Sequence, residues 1–346
     1  DYSDGGCPSL LLEGTSTNII TYSEDFSNAS WSKTGASVVG GQSSPSADSP
    51  TNAFKLVEDT STGEHRFYGY TSVVTGTKHT YSIRVKPNGR DWIKVSTNAL
   101  NFVYFNISTG VVGSSSSATG IIKSLNNGWV ECSITFTTTT TVEALFFNCA
   151  SSDGSAIYTG DGTSGVYIYG AMIEQNSYAT SYIPTNGSPQ TRTADTASGS
   201  GNSTVINSTE GTLYVEISTL ADDSVERYLS ISDGTSENRV SLWYYSATNG
   251  LAVAVYSGSS AQFFATTVLE NDTDFNKIAI KYKINDFALW INGTEISTDI
   301  SGVTPIGLSE LSFNRGDGSP FYGKVKSLQV YTTALSDTEL NNLTTI

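Results

Sequence analysis

What most constrains this chain is its punctuation. Short runs in which apolar and polar residues alternate recur from end to end, and each is closed within a few residues by Gly, Asn, Asp or Ser. A period of two sends successive side chains to opposite faces of a strand, and turns this frequent leave little room for long helices. The pattern is that of β-sandwiches. Only the closing stretch departs from it: Ser336 stands as a helix cap with Glu339 at the capping-box position, so a turn or two of helix is expected up to Leu343.

The fold class expected is all-β, as two tandem β-sandwich (jelly-roll) domains. The 346 residues suffice for two full cores. The chain is rich in Ser, Thr, Gly, Asn and Tyr and poor in Lys, Glu, Leu and Met, the composition of extracellular adhesins and sugar-binding modules. From Ser188 to Thr204 there is no large apolar residue, which predicts a linker over 188–209 between a domain at 10–187 and another at 210–346. Residues 1–9, with Asp4-Gly-Gly-Cys-Pro8, read as a tether from a missing upstream region. A start at Asp1 and a single methionine, Met172, fit a piece of something longer. No run of eighteen apolar residues exists, so membrane insertion is not expected. Three cysteines make an odd count; Cys132 and Cys149 sit in neighbouring predicted strands and are open to pairing, while the alternation around Cys132 fits a buried thiol equally well. Two histidines and no Cys-x-x-Cys argue against zinc.

The formal net charge is −15, yet between His65 and Lys94 lie both histidines and six of the eighteen Lys and Arg residues, with Asp91 the only acid. A basic island in an acidic protein selects negatively charged ligands. Within it Tyr81, Ile83 and Val85 alternate with Arg84 and Lys86, and Ile93 and Val95 alternate with Trp92 and Lys94. Phe102 and Tyr104 share the polar parity, and Arg66, Tyr68 and Tyr70 come from the preceding run. If these runs form one sheet with one buried face, Arg66, Tyr68, Tyr70, Arg84, Lys86, Trp92, Lys94 and Tyr104 share the other as a ligand-binding surface. Aromatic faces stack on the C–H face of a sugar and cations pair with its carboxylate or sulfate, so the expected partner is an acidic polysaccharide. The plainer reading puts Trp92 under a loop in a second small core, with the cations as solvated edge protection. Nucleic acid is not an expected partner of so acidic a chain.

Candidate chemistry is sparse. Lyase or glycosidase action stays open through His65 or His79 as base, or through the acids of Glu270-Asn-Asp-Thr-Asp274, although Asn271 and Asp272 read as a turn. Acidic turns at Asp153, Asp161 and Asp317 are turn signals first; they also leave a structural calcium open, with no ligands assigned. Arg315-Gly-Asp317 spells an integrin tripeptide and reads as two polar rim residues. Trp290 reads as packing, whereas either Trp243 with Tyr245 or the alternate set could face the core.

Gly165-Val-Tyr-Ile-Tyr-Gly-Ala-Met-Ile-Glu174, Tyr178-Ala-Thr-Ser-Tyr-Ile-Pro184 and Thr191-Arg-Thr-Ala-Asp195, with the opening Cys7-Pro-Ser-Leu-Leu-Leu-Glu13 and Thr17 through Trp31, closely resemble a jelly-roll module of bacteriophage tail and receptor-binding proteins. Phe105-Asn-Ile-Ser-Thr-Gly-Val111 and Asn127-Gly-Trp129 agree. The module often has Trp where Tyr169 stands and Gln where Met172 stands. Gly211 through Ile217, Lys277 through Gly293, and Phe321 through Tyr331 leading to Ala334-Leu-Ser-Asp-Thr-Glu-Leu340 resemble a laminin-G or concanavalin-like sandwich. Together the resemblances imply non-catalytic recognition of a surface polysaccharide by a phage tail appendage, at a virion tail or otherwise extracellular. A homo-oligomer formed through missing regions fits this, although no heptad or β-helix repeat imposes one. The alternatives are a secreted carbohydrate-binding tandem attached to a polysaccharide-degrading enzyme, and a structural spacer.

Overall fold

The computed structural model describes residues 8–97 and 101–346. Of the predicted tether, residues 1–7, including Cys7, lie outside the described residues. The chain divides into two compact units, one spanning Thr15–Thr193 and the other combining the segment that ends at Gly14 with Ala194–Ile346. Both are β-sandwiches, as the alternation requires.

In the first unit two six-stranded antiparallel sheets face each other. The front sheet runs in the order Val111–Ser116, Phe102–Asn106, Trp92–Ser96, Val142–Ala150, Arg66–Ser72, Ser32–Thr34. The back sheet runs Thr119–Ser124, Val130–Thr137, Lys78–Asn88, Gly165–Glu174, Ala53–Glu58, Ala36–Gln42. Between them lie Phe67, Ile93, Val95, Phe105 and Phe147 from the front and Leu56, Tyr81, Ile83, Val85 and Ile134 from the back, all fully buried. The parity expected for the runs at 79–86 and 92–96 therefore holds. Cys132 and Cys149 are both free and buried. Burial raises both thiols, Cys149 to about 12, so neither is poised to react.

The strands Lys78–Asn88 and Trp92–Ser96 belong to different sheets, so the chain crosses the sandwich within residues 89–91. This corner is held by an ion pair. The Arg90 guanidinium donates to both oxygens of Glu58, at 2.8 Å from Nε and 2.5 Å from Nη2. The Glu58 side chain is inaccessible to solvent. Its carboxylate also accepts from the Tyr158 hydroxyl at 2.6 Å and the Asp161 amide at 2.8 Å. Gly89 packs so tightly at this corner, with φ +90°, that a Cβ would come within 2.6 Å of Ser164 Oγ.

In the second unit a five-stranded sheet, ordered Ser260–Val268, Gly250–Ser257, Arg239–Tyr244, Arg227–Ser232, Glu310–Ser312, packs on a six-stranded one. The latter runs Leu10–Leu12, Gly323–Tyr331, Glu210–Ser218, Asn276–Lys283, Phe287–Ile291, Thr294–Asp299. Val240, Leu242 and Tyr244 face the core between them, leaving Trp243 outside. The helix Asp337–Thr344 carries the expected capping box on Ser336 and Glu339, and its Leu340 packs beside Trp290 and Tyr214. No helix among the described residues is long and apolar enough to cross a membrane.

Two boundaries differ from the sequence expectation. Leu10–Leu12 pairs with Gly323–Tyr331, so the second unit starts before the jelly roll does. The stretch 188–209 is not a free linker either: Gln190–Arg192 pairs with Ser16–Asn18 in the first unit, while Ala197 and Ser200 bond to Phe313 and Leu311, and Ile206 enters the core of the second. Small polar residues carry backbone donors and acceptors like any others, and here sheet pairing and turns satisfy them.

Burial alone would raise the Glu58 carboxyl, but the hydrogen bonds from Arg90, Tyr158 and the Asp161 amide and the Arg90 charge outweigh it and hold it below its ordinary value. A depressed carboxyl contributes stability above its unfolded-state pKa and loses that contribution as pH falls through the folded value. Arg90→Ala, which leaves Glu58 buried and unpaired, is expected to cost about 3–5 kcal/mol in urea unfolding at neutral pH. In acid, where wild type loses the same contribution, the two proteins should converge.

Candidate functional site

The eight residues expected on one surface are divided between two. Arg66, Tyr68, Tyr70, Trp92, Lys94 and Tyr104 do lie on the outer face of the front sheet. Arg84 and Lys86 lie on the outer face of the back sheet, on the far side of the core. The expected single face assumed that consecutive strands are neighbours, and the crossing at 89–91 breaks that assumption.

Register orders the front face into rows. Arg66, Asn148, Lys94 and Tyr104 stand in one cross-strand row, and Tyr68, Phe146, Ser96 and Phe102 in the next. Tyr68 and Phe146 lie with ring centroids 5.5 Å apart, and the Arg66 guanidinium sits 4.7 Å from the Phe146 ring. Lys94 Nζ is 5.1 Å from the Phe102 ring. Phe146 was missed in sequence because Phe146 and Phe147 are adjacent, and alternation does not say which is outside until the strand is paired. Tyr70 is 68% exposed. Trp92 and Tyr104 are not free platforms: with Phe102, Ala150 and Ala156 they make a small satellite core, and Gly113 approaches Trp92 so closely that a Cβ would be 2.7 Å from the indole. Trp92 is partly buried in this small core.

Three of the six cations of the basic island are paired with acids from elsewhere in the chain. Arg66 pairs with Glu64 at 2.6 Å, Arg84 with Glu131 at 3.0 Å and Arg90 with Glu58. Arg84 further stacks on Tyr182 at 4.5 Å. Lys78, Lys86 and Lys94 have no ion pair among the described residues, and Lys86 lines a cavity with Trp129. Both histidines are buried, His65 with its ring nitrogens against the carbonyl oxygens of Gly35 and Tyr158. Neither is placed as a solvent-facing base.

The acidic turns are held by hydrogen bonds within the protein. Asp153 accepts from the Ser114 amide and hydroxyl, Asp161 from Thr163 and Ser164, and Asn271 from the Thr273 amide as a turn residue. Among the described residues no group of three or more His, Cys, Asp or Glu side chains is arranged to hold a metal ion.

A second surface went unread in sequence. On the outer face of the five-stranded sheet, Tyr228 and Trp243 are cross-strand partners stacked at 5.2 Å, and Trp243 meets Phe264 at 6.1 Å. Two rows over, Arg239 lies 4.0 Å above the Tyr256 ring. Arg239 is 8% exposed and forms no ion pair among the described residues. Among the described residues it bonds only to Ser241 Oγ, at 3.3 Å, and to the Ser236 carbonyl. Burial lowers its pKa, and the nearby Arg315 lowers it further, against raising effects of Tyr256 and Asp317. Arg315 stands 5.3 Å from the Tyr228 ring and is paired to Asp317. The Arg-Gly-Asp tripeptide is thus part of a sheet-face cluster rather than a rim. Between these large groups the rows hold Ser230, Ser241, Ala252 and Ala254, all buried beneath them, and Phe264 is the exposed ring of the cluster while Trp243 and Tyr256 are half-buried.

Residues 192–341 match the concanavalin A-like lectin/glucanases superfamily. No curated protein matches the chain. Among solved structures, the chain is similar to the CBM40 of the Ruminococcus gnavus IT-sialidase at 23% identity, covering 43% of this chain and 94% of that one with a TM-score of 0.35. A heptameric SAP-like pentraxin from Limulus polyphemus is similar at 12% identity, covering 43% and 74% with a TM-score of 0.33. Domains LG4-5 of the mouse laminin alpha1 chain align at 11% identity over 96% and 94%, with a TM-score of 0.27. These superpositions are loose, and what this chain binds is set by its own side chains.

Since Trp92 is packed beneath Gly113, Trp92→Ala should act on folding: a loss of roughly 3 kcal/mol is expected in denaturant unfolding. A fully stable Trp92→Ala protein would instead return the indole to the surface.

Proposed function

We propose that the chain recognises an acidic glycan without transforming it, and that the five-stranded sheet of the lectin-like unit is the principal contact. The observation that carries this reading is Arg239: a buried guanidinium with no carboxylate partner of its own. Leaving such a charge desolvated is unfavourable unless something completes it, and a ligand carboxylate fits a guanidinium fork in two parallel hydrogen bonds. Tyr256, Trp243 and Phe264 supply apolar faces for the sugar ring beside it. Arg315 adds a second positive group, already shared with Asp317.

The front face of the jelly roll serves as an auxiliary surface. Its Tyr68 and Phe146 rings suit stacking, and Lys94 is its unpaired cation. The setting on a phage tail appendage rests on the sequence resemblance of the jelly-roll unit, and there many copies of a weak site would act together through high effective concentration.

The test is titration of the intact chain with sialyllactose, a polyuronate, a sulfated polysaccharide and a neutral glucan, each at low and high salt. Binding of a carboxylated glycan that weakens with salt is expected, and Arg239→Ala should reduce affinity by about tenfold or more. Tyr68→Ala combined with Phe146→Ala should have a smaller effect. Wild-type affinity in Arg239→Ala, or silence towards every acidic glycan, would overturn the reading.

A further inference from the structure

The jelly-roll unit contains a cleft that neither surface above uses. It has two cavities, of about 690 and 410 Å³, whose walls share Glu24 and Pro184. The larger is lined by Glu24, Asp25, Asn52, Phe54, Asn186 and Gln190 among others, with no Lys or Arg. The smaller adds Tyr169 and Tyr182, together with Arg84, whose charge is already met by Glu131.

The cleft follows from the sequence at Gly40 and Gly41. Pairing of the edge strand Ala36–Gln42 with Ala53–Glu58 shifts register between Val39 and Gln42. Gly41 takes φ +74° with open space around it, a conformation that suits glycine. A bulge of this kind bends an edge strand, and here it lies beside Phe54. The Phe54 ring is held edge-on by Phe26 at 5.8 Å and covered on one side by Gly40.

Glu24 is fixed in the shared wall. Its Oε1 accepts from the Tyr169 hydroxyl at 2.8 Å and the Tyr182 hydroxyl at 3.3 Å, and its Oε2 accepts from Asn52 Nδ2 at 2.9 Å. No cation pairs with it among the described residues. A carboxylate oxygen has two acceptor positions, so Oε2 retains one for a further donor. A preset carboxylate, amides that both donate and accept, and a partly exposed aromatic ring suit a vicinal diol with an apolar ring face. Two carboxylates without a lysine or arginine in the larger cavity repel an anion.

We propose that this cleft is a binding site for a neutral sugar, separate from the acidic-glycan surface of the lectin-like unit. The ligand lays its ring on Phe54 and donates hydroxyl protons to Glu24 while Asn52, Asn186 and Gln190 complete its polar contacts. Acidic sugars are turned away by Glu24 and Asp25, so the chain reads two chemically different parts of a mixed polysaccharide.

Calorimetric and saturation-transfer titrations of the full chain with cellotetraose, mannotetraose and a galactotetraose test this, and calcium chloride alone serves as the competing probe. At least one tetrasaccharide should bind with no dependence on salt. Glu24→Gln, which keeps the shape of the side chain, should weaken it about tenfold, and exposed Asn52→Ala by a smaller factor. Arg239→Ala should bind the neutral sugar as wild type does, so failure here and failure of the acidic-glycan reading are separately visible. The proposal is overturned if no tetrasaccharide binds, if Glu24→Gln and Asn52→Ala both bind like wild type, or if calcium is the only ligand that Glu24→Gln loses.

Discussion

The jelly-roll unit depends on how Arg90 meets Glu58. The buried carboxylate stands near the end of one back-sheet strand, and Arg90 sits in the short crossing that carries the chain to the front sheet. A buried carboxylate is tolerated only when its charge and lone pairs are met, and here Arg90, Tyr158 and the Asp161 amide meet them together. That requirement places the crossing, and the crossing sends Arg84 and Lys86 to one side of the core and Trp92 and Lys94 to the other. A property of the corner therefore decides which side chains share a surface.

The same corner marks where sequence reading stops. Period-two alternation is a local property, so the inward sets at Tyr81, Ile83 and Val85 and at Ile93 and Val95 were legible, as was the capped helix at Ser336. Sheet membership is not local. Nothing in the residues at 86–92 says that the chain changes sheets, because Gly89 would serve a hairpin as well as a crossing. Leu10–Leu12 posed the same difficulty: three leucines read as an edge of the nearer domain, whereas the partner strand Gly323–Tyr331 is more than three hundred residues away. The apparent linker misled for a related reason. Absence of large side chains removes the packing signal but not the backbone hydrogen bonds, and those were enough to draw 190–192 and 197–206 into the two sandwiches.

Charge was the less faithful guide. Counting along the chain isolates the cations between His65 and Lys94, but ion pairs form in space, and Glu64, Glu131 and Glu58 fall outside or at the edge of that window. The informative arginine was elsewhere. Arg239 has Glu237 two residues before it, which in sequence makes it an unremarkable member of a turn, and Arg315 has Asp317 beside it. Only pairing of Arg239–Tyr244 with its neighbours aligns Arg239 with Tyr256 and sets Trp243 beside Tyr228, and only burial shows that the guanidinium lacks a carboxylate. The lack of a carboxylate partner is a property of the folded state, so composition carries no trace of it.

These differences bear on how so acidic a protein would hold the acidic glycan proposed as its ligand. At a net charge of −15 the long-range field opposes approach, and distributed surface lysines would be screened and largely cancelled by neighbouring acids. A guanidinium in a poorly solvated position among aromatic rings escapes both limits, because its interaction with a carboxylate acts at short range through a lower effective dielectric. The cost of desolvating Arg239 is met during folding, before any ligand arrives. Association would then be slow relative to an electrostatically steered encounter, and selectivity would come from the fit at the sheet face rather than from attraction at a distance.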